Sequence, residues 1–264
     1  MILGIDFGTS AVKMALLNKN EIVYRERMPK TADVRKLIES LENSADSSDI
    51  SKIVLTGTGV PDLGDEICGI PTIKADEFDA VCAGGRFLSK EDRCIICSIG
   101  TGTSFSYADK ESHKHVGGSG MGGGLLASLA LNMCGYDDVK AFLEIAKEGN
   151  LSNSDLKIKD ISEGDYNELY GDVTLANMAK VKKETSKADT AASICNLVFE
   201  NIAVMAYLSD SKYGTGHVVM LGTPCDSYMA KVSFKNVGDL FGIDIIVPDD
   251  TAYGVAIGAA LLGE

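Results

Sequence analysis

The chain has 264 residues, of which 45% are hydrophobic and 24% charged, an ordinary globular composition that argues against disorder and fibres. Its 25 basic and 38 acidic residues give a formal net charge of −13, so we expect no nucleic-acid partner, and an anionic ligand needs a locally built site. The chain starts without the basic and long apolar segments of a secretory signal, and the apolar stretch 190–208 is interrupted by Glu200. We therefore expect a cytoplasmic protein without a membrane partner.

The cysteines and histidines do not predict a metal or redox centre. Seven cysteines are an odd number, and most of them stand singly inside apolar runs, as buried thiols do. Cys94 and Cys97 form a C-x-x-C, but in a strand residues three apart point to opposite faces. His113 and His115 stand in a segment that we interpret as a polar turn, without a cysteine or carboxylate cluster beside them. We expect no metal held by these residues.

Apolar patterning in the first 91 residues predicts three strands followed by alternating helices and strands. The predicted strands cover residues 2–7, 11–17, 21–28 and 52–55, and the predicted helices cover 33–43 and 79–88. The first helix follows from Val34, Leu37, Ile38 and Leu41, which have the i, i+3, i+4, i+7 spacing of an amphipathic helix. A charged segment then favours a domain boundary near residue 91.

The second part of the chain repeats the opening pattern of apolar strand, small-residue turn and second strand. Arg93 starts the strand CIICSIG, a turn follows at 100–102, and TSFSYAD forms the next strand. Further on we predict helices over 125–133, 137–146, 188–209, 227–240 and 253–262, strands over 218–222 and 243–247, and a polar stretch over 147–170. This order indicates an α/β chain of two related lobes, residues 1–91 and 92–264.

Glycines are clustered where the chain turns between predicted elements, and the first cluster is the turn DFGTS. Glycine there lets backbone N–H groups approach a phosphate, and the Thr9 and Ser10 hydroxyls can donate to it. Asp6 at the strand end can hold a metal ion or its waters, and Lys13 adds a positive charge. Taken alone, this segment fits a phosphate loop and a simple hairpin turn equally well.

Two further glycine clusters strengthen the phosphate-binding interpretation. The segment IGTGTS repeats the first loop in the second lobe, and two such loops facing each other can clamp one nucleotide. The third cluster, residues 116–124, formally matches the dinucleotide fingerprint through Gly118, Gly120 and Gly123. It follows a polar hairpin, so it is better explained as a glycine-rich entry to a helix near a nucleotide. No G-x-x-x-x-G-K-[ST] occurs, which excludes a P-loop enzyme.

These motifs resemble those of the actin-like superfamily of sugar kinases, heat-shock ATPases and actins. More closely, the chain resembles the type II pantothenate kinases along nearly its whole length. The resemblance rests on GIDFGTSAVK (4–13), EFDA (77–80), GTGTS (100–104), VGGSGMGGG (116–124), DLKIKDI (155–161), GDVTLAN (171–177) and YGVAIGAALL (253–262). GDVTLAN is the most family-specific, because it lies outside the shared phosphate loops.

The resemblance implies two RNase H-like lobes with a nucleotide cleft between them, and ATP-dependent phosphorylation of pantothenate to 4′-phosphopantothenate in coenzyme A biosynthesis. It implies ATP and Mg²⁺ as cofactors, and a homodimer, part of whose contact we place on the long helix over 188–209. Glu77 becomes the general base, Asp6 the organiser of Mg²⁺ through a water molecule, and Lys13 a catalytic phosphate-binding residue.

The same resemblance assigns binding residues by position. For ATP they are Gly8, Thr9, Ser10, Lys13, Thr101, Gly102, Thr103, Gly123, Gly124, Leu125, Leu126, Ala127 and Thr223. For the acceptor they are Glu77, His115, Gly117, Thr174 and Tyr253. Without the resemblance, Glu77 would be interpreted as a surface carboxylate at a helix start.

One position departs from the family pattern. The family has an arginine immediately before V-G-G, where this chain has His115. Pantothenate ends in a carboxylate, and histidine lacks the permanent charge and planar fork of arginine. Three alternatives follow: His115 or Lys114 replaces the arginine, the acceptor is another hydroxylated molecule such as pantetheine or a sugar, or the protein is a nucleotide-binding regulator with weak turnover.

Overall fold

The computed structural model describes residues 1–42, 49–61, 63–162 and 171–264. Within these ranges the chain forms two large β-sheets with helices packed against them, in agreement with the predicted α/β class of two lobes. The last residue of the helix predicted over 33–43 and residues 163–170 of the predicted polar stretch lie outside the described residues.

The first sheet has six strands in the order β3-β2-β1-β4-β6-β5. Its strands are β1 (Ile2–Phe7), β2 (Ala11–Asn18), β3 (Glu21–Pro29), β4 (Lys52–Thr56), β5 (Glu66–Ile67) and β6 (Ile70–Lys74). The hairpin predicted from the first glycine cluster is confirmed, because β1 and β2 pair antiparallel, with Asp6 opposite Lys13. Strands β5 and β6 were not predicted.

The second sheet has five strands in the order β13-β12-β7-β8-β9. Its strands are β7 (Cys94–Ile99), β8 (Thr103–Ala108), β9 (His113–Ser119), β12 (His217–Leu221) and β13 (Asp244–Ile246), and a separate two-stranded sheet contains β10 (Leu156–Lys157) and β11 (Thr174–Ala176). The β7–β8 hairpin repeats the β1–β2 hairpin, as predicted. The interpretation of His113 and His115 as residues of a turn was wrong, since both lie on the edge strand β9.

Seven α-helices are described. They are α1 (Val34–Glu42), α2 (Glu77–Ser89), α3 (Gly123–Leu129), α4 (Val139–Ala146), α5 (Lys187–Asp210), α6 (Tyr228–Phe241) and α7 (Gly254–Leu261). Helix α2 begins two residues before the predicted start, because Asp76 caps it by accepting hydrogen bonds from the backbone N–H groups of Phe78 and Asp79. Helix α3 continues as a π-helical turn over Ala130–Cys134.

Helices α2 and α7 form a tightly packed layer between the two sheets. A Cβ atom on Gly258 would lie 1.8 Å from the carbonyl oxygen of Ala80, so glycine permits this contact. Helix α7 also packs on the first sheet, where a Cβ on Gly4 would lie 1.9 Å from the carbonyl oxygen of Ala256. Val81 of α2 packs on the opposite side in a cluster with residues of the second sheet. The last helix of the chain thus completes the first lobe.

Helix α5 is the centre of the second lobe's core. It has 24 residues, and Cys195, Val198 and Phe199 are fully buried in it. By length and composition, α5 is the one described helix that could cross a membrane, contrary to the expectation drawn from Glu200. However, 61% of the most apolar 18-residue segment of this helix is buried inside the protein. This burial is that of a core helix. Six of the seven cysteines are buried, and the described residues contain no cluster suited to a metal ion.

Candidate active site

The carboxylate of Asp6 and the amine of Lys13 form a buried pair at the cleft end of the first sheet. Asp6 Oδ2 lies 3.9 Å from Lys13 Nζ, and Asp6 is 6% exposed. Burial raises the pKa of Asp6 to about 6, against the effect of Lys13 and with a smaller contribution from the negative charge of Glu77. Burial likewise lowers the pKa of Lys13, while Asp6 opposes that shift. The pair therefore holds charge in a poorly solvated place, where an additional cation or anion interacts strongly.

The first two glycine loops face each other across the cleft. The hydroxyls of Thr9, in the β1–β2 turn, and Thr101, in the β7–β8 turn, share a hydrogen bond. Thr9, Ser10 and Thr101 are exposed, and Gly8 and Gly102 are half-buried. The structure thus brings both predicted phosphate loops to one place, with hydroxyl and backbone donors that suit an anion. Thr103 is buried on β8 and contributes no exposed hydroxyl.

The third glycine loop lies on the second one and starts helix α3. The Gly123 N–H donates to the carbonyl oxygen of Gly100 at 2.8 Å, and the Gly124 N–H donates to that of Thr101 at 2.9 Å. Glycine is needed for this approach, because a Cβ on Gly122 would lie 2.7 Å from the Thr101 carbonyl oxygen. The N-terminus of α3 therefore lies beside the predicted phosphate site, as the sequence predicts.

The residues after this loop differ in what they can contact. The side chain of Leu126 is fully buried in the second lobe's core, whereas Leu125 and Ala127 are half-buried. Thr223 is exposed and begins a short 3₁₀ turn after β12. Its neighbour Pro224 lies close to Gly123, since a Cβ on that glycine would be 3.7 Å from Pro224 Cγ. Thr223 and the third loop are thus neighbours, although Leu126 cannot offer its side chain to a ligand.

Glu77 is the first residue of α2 and is half-buried beside the same cleft. Its carboxylate accepts a hydrogen bond from the backbone N–H of Thr58, and its pKa is raised by burial and by the nearby Asp76 carboxylate. The loop that carries Thr58 also touches Asp6, since a Cβ on Gly57 would lie 2.8 Å from Asp6 Oδ1. Glu77, which the family resemblance assigns as the general base, therefore lies on the flank of the Asp6–Lys13 pair.

His115 lies beside the first turn of α2. Its ring centroid is 4.4 Å from that of Phe78, with 38° between the ring planes. Gly117, two residues further along β9, is half-buried, and a Cβ there would have no atom within 4 Å. Of the predicted acceptor residues, His115 is thus next to Glu77, and the strand carrying Gly117 borders open space.

The structure does not bring Thr174 and Tyr253 next to Glu77. The Thr174 hydroxyl accepts a hydrogen bond from Asn196 Nδ2 at 3.3 Å, within the second lobe. Tyr253 immediately precedes α7, and Gly254 at the start of that helix packs on Gly84 of α2. Gly84 is seven residues after Glu77, which corresponds to about 10 Å along the helix axis. The assignment of these two residues to the acceptor site remains a prediction.

Thr58 and Phe78 were not predicted as site residues, although the sequence contains signals for both. The segment T-G-T-G at 56–59 has the small-residue composition of the phosphate loops, and Phe78 lies inside the EFDA motif. The hydrogen bond from Thr58 to Glu77 joins residues that are distant in sequence, so local patterns do not reveal it.

Solved structures share this fold over almost the whole chain. The activator of the 2-hydroxyisocaproyl-CoA dehydratase from Clostridium difficile, with bound ADPNP, superposes with a TM-score of 0.68 and 19% identity over 99% of this chain and 93% of that one. A ROK family glucokinase from Streptomyces griseus, in complex with glucose and AMPPNP, gives a TM-score of 0.58 and 11% identity over 99% and 98%. The protein thus has the two-lobed fold of the actin-like ATPases and the ROK kinases.

Sequence relatives define the family more narrowly. The Fumble family model matches residues 93–233. A type II pantothenate kinase of Staphylococcus epidermidis is 30% identical over 99% of this chain and 100% of its own length, and one of Staphylococcus aureus is 27% identical over 100% of both. The chain belongs to the type II pantothenate kinase family, as its motifs predicted.

Proposed function

We propose that this protein transfers the γ-phosphoryl group of ATP to the primary hydroxyl of pantothenate, giving 4′-phosphopantothenate for coenzyme A biosynthesis. The observation that carries the proposal is the position of Glu77, half-buried on the flank of the Asp6–Lys13 pair, in a chain of this family. The two facing threonine loops supply the place for the phosphates.

Glu77 acts as the general base in this proposal. Its carboxylate takes the proton of the acceptor hydroxyl while that oxygen forms a bond to the γ-phosphorus, and the bond to the bridging oxygen breaks with its electron pair leaving on ADP. The raised pKa makes Glu77 a better proton acceptor than an exposed glutamate, and the N–H of Thr58 keeps its carboxylate oriented. Lys13 offsets negative charge on the phosphates from within the poorly solvated cleft.

The residues fit Mg²⁺ beside Asp6. Mg²⁺ in phosphoryl-transfer sites is held by one or two carboxylates together with phosphate oxygens and several waters. Asp6 is such a carboxylate, and it is buried with the amine of Lys13 3.9 Å away. Its raised pKa indicates that additional positive charge would stabilise the ionised form of its carboxylate. When bound, the ion neutralises phosphate charge.

His115 is the residue that we assign to the acceptor's carboxylate side. It is exposed, it lies against Phe78 next to Glu77, and the neighbouring Lys114 is also exposed. A histidine holds a carboxylate less firmly than the arginine it replaces. Pantetheine, which lacks the carboxylate, is therefore the informative alternative acceptor.

We also propose a homodimer in the cytoplasm, with part of the contact on α5. Residues 197, 201, 204 and 208 lie on one face of this helix and are not fully buried, and Leu208 is 60% exposed. Light scattering at micromolar concentration should give the mass of a dimer, and Leu208→Glu should shift it toward the monomer. A monomeric wild-type protein would contradict this part of the proposal.

The activity is tested by ADP release with Mg-ATP and either pantothenate or pantetheine. We expect turnover of pantothenate by the wild type, loss of turnover in Glu77→Gln with nucleotide binding retained, and normal turnover in the control Asp239→Asn, an exposed carboxylate on α6. Turnover of pantetheine alone would move the proposal to an acceptor without a carboxylate. Nucleotide binding without turnover of either would favour a regulatory protein.

A further inference from the structure

Three charged side chains lie in a row on the cleft face of the first sheet. Asp6 on β1 is opposite Lys13 on β2, and Lys13 is opposite Arg27 on β3. Directly opposite residues of antiparallel strands project from the same face, with about 5 Å between strands. Arg27 therefore extends the Asp6–Lys13 pair by one strand, and its positive charge acts on Lys13.

Arg27 differs from the neighbouring arginine of the same strand. Arg25 forms an ion pair with Asp250, so its charge has a structural partner. Among the described residues, the side chain of Arg27 has neither a hydrogen bond nor an ion pair, although the chain carries a net charge of −13. An exposed guanidinium without a partner in the described part of the protein, one strand from a second cation, is free to bind an anion.

The position of Arg27 relative to Glu77 indicates which anion this is. The Gly57–Thr58 loop and Glu77 flank Asp6 on one side, and Lys13 and Arg27 follow on the other. In phosphoryl transfer the attacking and leaving oxygens lie on opposite sides of the phosphorus. If Glu77 receives the proton of the attacking oxygen, Arg27 is on the side of the leaving oxygen, which belongs to the β-phosphate.

We propose that Arg27 binds the β-phosphate of the nucleotide and stabilises the negative charge that develops on it during transfer. A guanidinium suits this role, because its planar fork can donate two hydrogen bonds to one phosphate. Cys225, two residues after the predicted nucleotide residue Thr223, lies near Lys13, which agrees with a nucleotide on this side. The inference rests on the proposed function only in requiring a nucleotide donor.

The test compares Arg27→Gln with the matched control Arg25→Gln, which removes the same charge two residues along the same strand. Calorimetry should show ADP binding weakened about tenfold or more in Arg27→Gln, since one charge-assisted contact is lost, with adenosine binding unchanged. The control should bind ADP within about twofold of the wild type, because it removes the Arg25–Asp250 ion pair and some general attraction between charges but no contact with a phosphate. Arg27→Lys should retain part of the affinity.

Turnover gives a second measure. With the acceptor that the wild type uses, Arg27→Gln should lower kcat about tenfold or more and leave the KM of the acceptor unchanged. Unchanged ADP affinity in Arg27→Gln, or an equal loss in Arg25→Gln, would overturn the inference. Because ADP binding needs no acceptor, it tests the role of Arg27 even if pantothenate proves not to be the substrate. Conversely, pantothenate turnover by the wild type together with unchanged ADP affinity in Arg27→Gln would overturn the inference about Arg27 and leave the proposed function intact.

Discussion

His113 Nε2 lies 2.6 Å from Asp79 Oδ1, so the edge strand β9 of the second lobe contacts the first turn of the helix that begins with Glu77. The Phe78–His115 ring contact is part of the same junction. Both side chains of this contact are about 40% exposed, which limits its contribution to the free energy of unfolding to less than about 1 kcal/mol. Its larger effect should be on the position of Glu77.

We therefore expect His113→Gln and Asp79→Asn each to lower kcat by about twofold to tenfold with little change in thermal stability, because a small displacement of Glu77, the proposed general base, slows proton transfer. The double variant should be no slower than the slower single variant, since both remove one contact. Kinetic constants and melting temperatures of the four proteins give this result directly. Additive losses in kcat would show that the two residues act separately.

Glu77 should produce an acid limb in the pH profile of kcat/KM. Its pKa is raised above the usual value, so the base form is lost as pH falls at a higher pH than for an exposed glutamate. Glu77→Gln should remove both the limb and nearly all turnover. A limb that survives in the residual activity of this variant would assign it to another group.

The hairpins and the phosphate loops were predictable because their signals are local. Apolar strands around Gly8 and around 100–102 fix both turns, and the hydrogen bond between Thr9 and Thr101 then depends on how the lobes meet. Strand β9 was missed because His113, Lys114 and His115 are all exposed, so no apolar alternation marks it.

The acceptor side of the site was less predictable than the phosphate side. The family resemblance assigns both Tyr253 and Glu77 to the acceptor site, because each lies in a family motif. In the structure, the antiparallel packing of α7 on α2 places the start of α7 beside Gly84 and away from Glu77. Similarly, the hydrogen bond from Thr58 to Glu77 depends on the parallel pairing of β4 with β6, which no periodic pattern in this segment indicates.

The glycine contact between α2 and α7 should be sensitive to a single methyl group. Gly258→Ala would place a Cβ 1.8 Å from the Ala80 carbonyl oxygen, and backbone cannot move aside without separating the helices. We expect a loss of about 2–3 kcal/mol in the free energy of unfolding, measured by denaturant titration. Gly117→Ala is the control, because a Cβ there meets no atom within 4 Å. Equal stability of the two variants would contradict this packing.

The burial of Asp6 should make the nucleotide-free protein less stable as pH rises. A carboxyl whose pKa is about 6 in the folded state and about 3.8 when unfolded stabilises the fold fully below the lower value, and this stability is lost as pH rises through the higher one. Asp6→Asn lacks this titration. Its stability relative to the wild type should therefore increase by about 1–2 kcal/mol between about pH 5 and about pH 8.

Melting curves at several pH values, recorded without nucleotide and with a chelator, measure this difference. The variant should at the same time lose kinase activity, since the carboxylate is the candidate Mg²⁺ ligand. Added Mg-ATP should reduce the stability difference at high pH, because ligands that bind the folded wild type stabilise it. A stability difference that stays constant across this range would show that Asp6 is ionised throughout, with its charge already compensated by Lys13 at 3.9 Å.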